Sequence, residues 1–252
     1  MSFYKFVFVV SFCIPATVWA AHPLVTDDAG TQGKGNFQLE VNGQYDHDKE
    51  NGATTTGGQT AAALTYGVTD KIDLAVGIPY SWIQEDPSQS SSGENGFSDA
   101  TVDVKVRLWE KDGLSFAIKP GLSFPTGDDD KGLGAGKIGY HFYVIGMKEA
   151  GAWTFLANLG YLRNETDLNN CEKDIWHVSF ATIYAVDEHW KIVADVLADR
   201  NSDKDGKNDP VSGIIGVIYS PAKNIDLDLG VKAGLTDSAT DWSLLAGTTF
   251  RF

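Results

Sequence analysis

Between positions 37 and 252 the chain alternates apolar and polar residues with period two, in twelve separate segments. Residues two apart share one face of an extended strand, whereas a helix gathers its apolar positions at spacings of three and four. The last segment shows the pattern in full. Trp242, Leu244, Ala246, Thr248, Phe250 and Phe252 fall on one face, and Ser243, Leu245, Gly247, Thr249 and Arg251 on the other. Soluble domains ordinarily finish in exposed, mobile residues rather than in an ordered strand with an aromatic end. The closing strand of a transmembrane barrel accounts for both features, because its outer face meets hydrocarbon and its edge pairs with the first strand.

The twelve segments run over 37–45, 62–68, 72–82, 100–108, 114–124, 138–144, 153–161, 176–186, 190–198, 211–219, 225–235 and 242–252. Tight connections at 69–71, 110–113, 148–151, 187–189 and 221–224 alternate with longer polar ones at 47–58, 84–97, 125–136, 163–174, 200–210 and 236–241. An even strand number, with short turns at one end and long loops at the other, is the plan of an outer-membrane barrel. The apolar faces also end in aromatics. Trp153, Trp190 and Tyr219 lie near the short turns; Tyr80, Trp82, Phe124, Tyr161, Trp176 and Trp242 lie near the long loops. Amphipathic rings are favoured at both membrane interfaces. A soluble β-sandwich alternates too, but it would have to crowd twelve rows of Leu, Val, Phe and Trp into one core. The expected fold is therefore all-β, a single antiparallel up-and-down transmembrane β-barrel of about twelve strands over 37–252. Pro120 removes a ladder donor, so a bulge is expected there.

Residues 1–20 read as a secretory leader, with Lys5, an apolar run from Phe6 to Ile14, and small residues before Ala21. That run is too short to span a bilayer as a helix, and no later stretch is long and apolar enough. A leader also fits the outer membrane of a Gram-negative-type bacterium. Its removal leaves Cys171 alone, so neither a disulfide framework nor a thiol metal site is expected. The net charge of −14 disfavours nucleic acid as a partner. Residues 21–36 carry no period and form a separate N-terminal periplasmic or lumen segment. Extended, the stretch 22–36 reaches roughly 45 Å, enough to enter the barrel mouth, and entry is the expected arrangement.

By parity the inner face carries many small residues, such as Ala61, Ala63, Gly77, Gly121 and Ala181. Closing twelve tilted strands gives a backbone diameter of roughly 24 Å, and small linings would leave an opening of about 10–14 Å. The charges assigned to the lumen are Glu40, Asp73, Asp103, Lys105, Arg107, Lys119, Asp195, Asp226, Asp228, Lys232 and Arg251. Lys105, Arg107 and Lys119 stand nearly opposite Asp195, Asp226 and Asp228 in such a ring. Two arrangements are open: a field across the lumen that orients solutes, or local pairing with Asp103, Lys191 and Lys232. Each basic residue has an acidic neighbour on its own or an adjacent strand, which favours pairing.

Three chemical signals are weaker. His177 and Ser179 share a strand face at the spacing that outer-membrane lipid hydrolases use, but they point inward and no orienting acid or amide is evident. Asn201, Asp203 and Asp205 resemble the start of a calcium loop, yet Ser212 stands where the closing acid belongs. Asp128, Asp129 and Asp130 form a second acidic cluster. Solvated external loops explain both acidic stretches, and no catalytic residue, metal site or cofactor is expected.

The segments HPLVTDDAGTQGKGNFQLE at 22–40, NDPVSGIIGVIYSP at 208–221 and LDLGVKAGLTDSATDWSLLAGTTFRF at 227–252 resemble the outer-membrane β-barrel family of phenol-degradation meta-pathway (MetA-pathway) transporters. Thr26, Asp27, Asp28, Ala29 and Gly30 match its opening signature. The resemblance implies a barrel that takes up small or aromatic compounds, and it assigns those five residues no role. The function expected from residues and resemblance together is an outer-membrane channel for passive uptake of small solutes. The expected partners are outer-membrane lipid, the solute, and the outer-membrane assembly machinery reading Phe252. The alternatives are a structural or adhesion barrel with a filled lumen, and a lipid hydrolase.

Overall fold

The computed structural model describes residues 22–50, 53–85, 93–166 and 170–252. The leader and the tract Ser88 to Ser92 lie outside them. Thirteen strands follow one another: β1 (Phe37–Glu50), β2 (Ala53–Thr69), β3 (Ile72–Glu85), β4 (Gly93–Phe97), β5 (Ala100–Lys111), β6 (Leu114–Phe124), β7 (Gly139–Ala150), β8 (Trp153–Arg163), β9 (Asp174–Ala185), β10 (Trp190–Asp199), β11 (Val211–Ala222), β12 (Ile225–Gly234) and β13 (Trp242–Arg251). All pairs are antiparallel, and each barrel strand pairs with its sequence neighbours; β3 pairs with β5 directly. The cylinder closes where β1 meets β13, from Gln38↔Arg251 to His47↔Trp242. Phe37 and Phe252 seal its lower edge by exchanging N–H···O bonds of 2.7 and 3.0 Å. The result is a closed twelve-stranded barrel with β4 added beside the upper part of β3.

Two long polar connections are more ordered than their sequences suggest. Instead of a loop at 47–58, β1 and β2 stay paired up to Glu50↔Ala53. Their upper residues are polar on both faces, which erases the period-two signal, while β-branched Thr54, Thr55 and Thr56 still favour extended backbone. Within the loop expected at 84–97, β4 pairs with β3 from Tyr80↔Phe97 to Gln84↔Gly93.

The bulge expected at Pro120 lies elsewhere. Pro120 faces Phe142 of β7 in regular register. On its other side the β5–β6 ladder runs from Ala100↔Phe124 to Asp103↔Gly121 and resumes at Val106↔Ile118, so the missing N–H leaves a gap without a register change. The irregularity falls between Arg107 and Trp109. The extra residue lets adjacent Leu108 and Trp109 both face outward.

The outer wall is apolar and ringed by aromatics at both ends. At the short-turn end the ring centres of Trp153 and Tyr184 lie 4.7 Å apart, those of Trp190 and Tyr219 4.5 Å, and those of Phe37 and Tyr66 4.7 Å, all in tilted contact. At the long-loop end Tyr45 is tilted against Trp242, and Tyr80 meets Phe97 edge to face. Leu229, on the outward face near the middle of β12, is 59% exposed. Replacing it with arginine places a charge where the wall meets hydrocarbon. Leu229→Arg is expected to lower stability in phospholipid bilayers by about 2–4 kcal/mol, as read from denaturant unfolding of the reconstituted barrel.

Candidate functional site in the barrel interior

Residues 22–36 run inside the barrel as a strap before the chain enters β1. The strap has no regular secondary structure, so each of its polar groups needs a partner from the wall. At its start, His22 Nδ1 pairs with Asp228 on β12, and Pro23 packs against Gly230. A Cβ built on Gly230 would come within 2.8 Å of Pro23 Cβ, so this wall position must stay small. Asp195 on β10 then takes three bonds: from the Val25 N–H at 2.8 Å, the Thr26 N–H at 2.9 Å and the Thr26 hydroxyl at 2.6 Å.

Asp27 is the centre of the strap. Its side chain is fully buried; Lys105 Nζ on β5 lies 2.8 Å from Oδ1, and Lys119 Nζ on β6 lies 2.7 Å from Oδ2. The Asn158 amide on β8 faces the same residue's backbone; with its amide turned to satisfy both groups, its oxygen accepts from the Asp27 N–H at 2.6 Å and its nitrogen donates to the Asp27 C=O at 3.0 Å. Lys105 also donates to the Asp28 carbonyl at 3.1 Å. The Asp28 carboxylate accepts the Gly30 N–H at 2.6 Å, which turns the strap downward.

The return leg runs to the turn between β2 and β3. Gln32 donates its N–H to Asp73 at 3.0 and 3.2 Å, Thr31 its hydroxyl to the Asp70 carbonyl, and Lys34 its N–H to the Asp70 carboxylate. Gly33 passes so close to Gly67 that a Cβ on Gly67 would collide with the Gly33 carbonyl. Gly67 and the strap then bond backbone to backbone, through Gly35 at 2.8 Å and Asn36 at 2.9 Å.

The sequence-assigned lumen charges therefore fall into two groups. Asp73, Lys105, Lys119, Asp195 and Asp228 hold the strap. Asp103 instead meets His141 Nε2 at 2.5 Å, Arg107 bonds the Asp70 carbonyl and Glu110 at the short-turn rim, and Arg251 pairs with Asp226 at 2.6 Å. Lys232 faces the interior within electrostatic range of Asp46 and Asp199 and closes no ion pair with either. Glu40 is buried beside Asp73 and Lys105. Of the local pairing weighed for these charges, the part through Asp103 does not form: Lys105 and Lys119 turn to Asp27, and Asp103 to His141.

The wide opening expected from small lining residues is not there at this level. Beside the strap, a cavity of about 40 Å³ is lined by Gln38, Glu40, Thr65, Asp73 and Lys105 among others, room for about one or two waters. The other half of the interior is apolar. Ala29 of the strap packs with Ala117, Tyr143, Ile145, Leu162 and Ile175, and Leu24 with Leu156, Ala181, Val193 and Ile218. The signal for these clusters was available, because β7 and β8 carry large residues at both parities.

One correction concerns His177 and Ser179. An orienting acid is present: Asp199, the direct register partner of His177 across β9 and β10. His177 Nδ1 lies 2.8 Å from Asp199 Oδ1, and Nε2 lies 2.9 Å from Ser179 Oγ. The order of contacts matches a serine–histidine–acid relay. His177 and Ser179 are only 4% and 3% exposed, and Ser179 sits in ladders on both sides, facing Asn158 and Leu197. Backbone donors for an oxyanion are committed to those ladders. Among the described residues no cluster of acids, histidines or cysteines is built to hold a metal ion.

The strap is the feature most open to test. Asp27→Asn removes the one carboxylate that both the Lys105 and Lys119 ammoniums contact, and breaking a buried pair in this way costs about 3–5 kcal/mol. Hydrogen exchange of residues 24–32 is expected to accelerate in this variant while exchange of the barrel strands stays slow.

Three solved structures share the architecture. An outer membrane channel from Pseudomonas putida F1 aligns with a TM-score of 0.71 at 13% identity, covering 89% of this chain and 98% of that one. The KdgM porin aligns at 0.60 and 9% identity, covering 85% and 99%. The Ralstonia pickettii toluene transporter TbuX aligns at 0.51 and 10% identity, covering 87% and 89%. At these identities the likeness is one of fold, the fold of outer-membrane channels and porins. No curated protein sequence matches the chain. The family described as "Putative MetA-pathway of phenol degradation" matches residues 23–252, which takes in the strap and every strand of the barrel, and the chain belongs to that family.

Proposed function

We propose that this protein is an outer-membrane channel for small solutes whose passage is controlled by its own N-terminal strap. The observation that carries this reading is the strap itself, tied to β3, β5, β6, β10 and β12 by side-chain contacts and bonded backbone to backbone only at its end, where Gly35 and Asn36 meet Gly67. The part before Gly35 can leave without breaking the wall's ladders. The barrel's shared fold with channels and porins supports the same reading. The toluene transporter among those structures makes aromatic compounds one candidate class of solute, alongside other small molecules.

In this reading the short turns and both termini face the periplasm, the long loops face outward, and the aromatic rings mark the two interfaces of the outer membrane. The full-length protein is expected to show low conductance in planar bilayers, and a barrel lacking residues 22–34 a higher one. Unchanged conductance after the deletion would remove the strap from the proposal.

A filled interior also fits a structural barrel whose external loops meet a partner. Absence of conductance and of solute flux in both proteins would favour that reading instead. A hydrolase is not proposed, despite the His177 relay, because Ser179 has neither exposure nor free donors beside it. Incubation of the detergent-solubilised protein with a fluorophosphonate probe is expected to leave Ser179 unlabelled; labelling abolished by His177→Ala would reopen the question.

A further inference from the structure

The Lys105 and Lys119 ammoniums stand on adjacent strands, one at each oxygen of the Asp27 carboxylate. Both are buried in the wall, and two cations left there without an anion are costly. Strap departure therefore leaves a site that favours an anion between the two ammoniums. Both lysines line one cavity with Glu40, Asp73 and Asp103. Lys119 has an apolar neighbour as well. Its ammonium lies 5.5 Å from the centre of the Tyr143 ring. Tyr143 belongs to the cluster of Ala117, Ile145, Leu162 and Ile175, into which the strap inserts only the methyl of Ala29.

Two neighbouring demands are thus met by two residues of one segment: a carboxylate between the lysines, and a small apolar group against Tyr143 and its neighbours. Asn158, which reads the strap's peptide group, supplies a neutral donor and acceptor at the same place. We propose that the strap is a built-in stand-in for the ligand, and that the site beneath it takes a small organic carboxylate with an apolar body. The carboxylate replaces that of Asp27 at Lys119, and the apolar body replaces Ala29 against Tyr143, Ile145 and Leu162. This inference rests on the channel reading for its purpose, since it names the solute class that would displace the strap, but the binding itself needs no conduction.

Binding and strap release then compete for one site. A ligand present at about ten times its dissociation constant for the strap-free state raises the population of that state about tenfold. Full-length protein in detergent is incubated with benzoate, with acetate (the carboxylate alone) or with benzyl alcohol (a comparable body without charge). Exchange at the amides of Val25, Thr26 and Asp27 is then followed by mass spectrometry. Benzoate is expected to accelerate it about tenfold, and acetate and benzyl alcohol to leave it nearly unchanged. In calorimetry, Asp27→Asn is expected to bind benzoate more tightly than the wild type, and adding Lys119→Met to reverse that gain.

Equal responses to all three compounds, or no response to benzoate, would overturn the proposal on the wild-type protein alone, whatever the variants do. Equal benzoate affinity in the wild type and Asp27→Asn would overturn it as well. Conductance separates this inference from the reading it rests on. Benzoate that frees the strap of a barrel that never conducts supports the site and overturns the channel. A barrel that conducts once the strap is removed, with a full-length strap that ignores benzoate, keeps the channel and overturns the site.

Discussion

Closure of the sheet is the constraint on which the rest of this structure depends. In hydrocarbon every unpaired backbone N–H or C=O costs several kcal/mol, so a wall of strands is tolerated only when it has no edge. Here the last edge disappears because ten register pairs join β1 to β13, from Gln38↔Arg251 to His47↔Trp242. Closure also fixes the interior. Once the outer face is given to apolar side chains, period two sends every second residue inward, and the polar complement of each strand is confined to a space that solvent barely enters.

That confinement explains why the strap is where it is. The inner wall carries cations on β5 and β6 and anions on β3, β10 and β12, each buried enough to need a partner. A strand cannot supply those partners to itself, since its own inward residues lie in a row and point the same way. The strap supplies them from the middle of the space: a carboxylate to the two lysines, and backbone N–H groups to Asp195 and Asp73. Opposite signs on opposite walls, which in an empty barrel would set a field across the lumen, here serve as the two ends of a cross-brace. In the proposed channel the same charge layout would serve an open and a closed barrel, which would differ in whether residues 22–36 occupy the centre.

The wall was legible in the sequence because lipid imposes a rule on every second residue. Where lipid stops, so does the rule. At 47–58 both faces are polar, and the upper hairpin of β1 and β2 left no period to read. The interior was legible in direction but not in partnership. Parity placed Lys105, Lys119 and Asp195 inside, yet their partners lie 78, 92 and 169 positions earlier, in a stretch with no periodicity. Asp199 was obscured for a related reason. Its inward parity follows from outward Ala198, but only the β9–β10 register brings it opposite His177. The resemblance at 22–40 marked Thr26, Asp27 and Asp28 as a signature without saying what it was for, and the bonds of those residues now give it a physical content.

The two halves of the interior also differ in how they resist the strap's departure. On the side of β3 and β5 the contacts are charged, and the cavity beside them already has room for water, so solvent can enter and replace lost bonds. Toward β7, β8 and β9 the strap is held by Leu24 and Ala29 among aliphatic and aromatic side chains, where water gains nothing by entering. In the proposed release, loosening would start from the polar side and stall at the apolar one unless something apolar took the strap's place. Lys119 stands at the border between the two, bonded to Asp27 on one side and close to the Tyr143 ring on the other. A fully hydrated ion can satisfy the first neighbour but not the second, and a neutral hydrocarbon the second but not the first. For the proposed ligand site, selectivity would arise from that adjacency rather than from the width of the barrel.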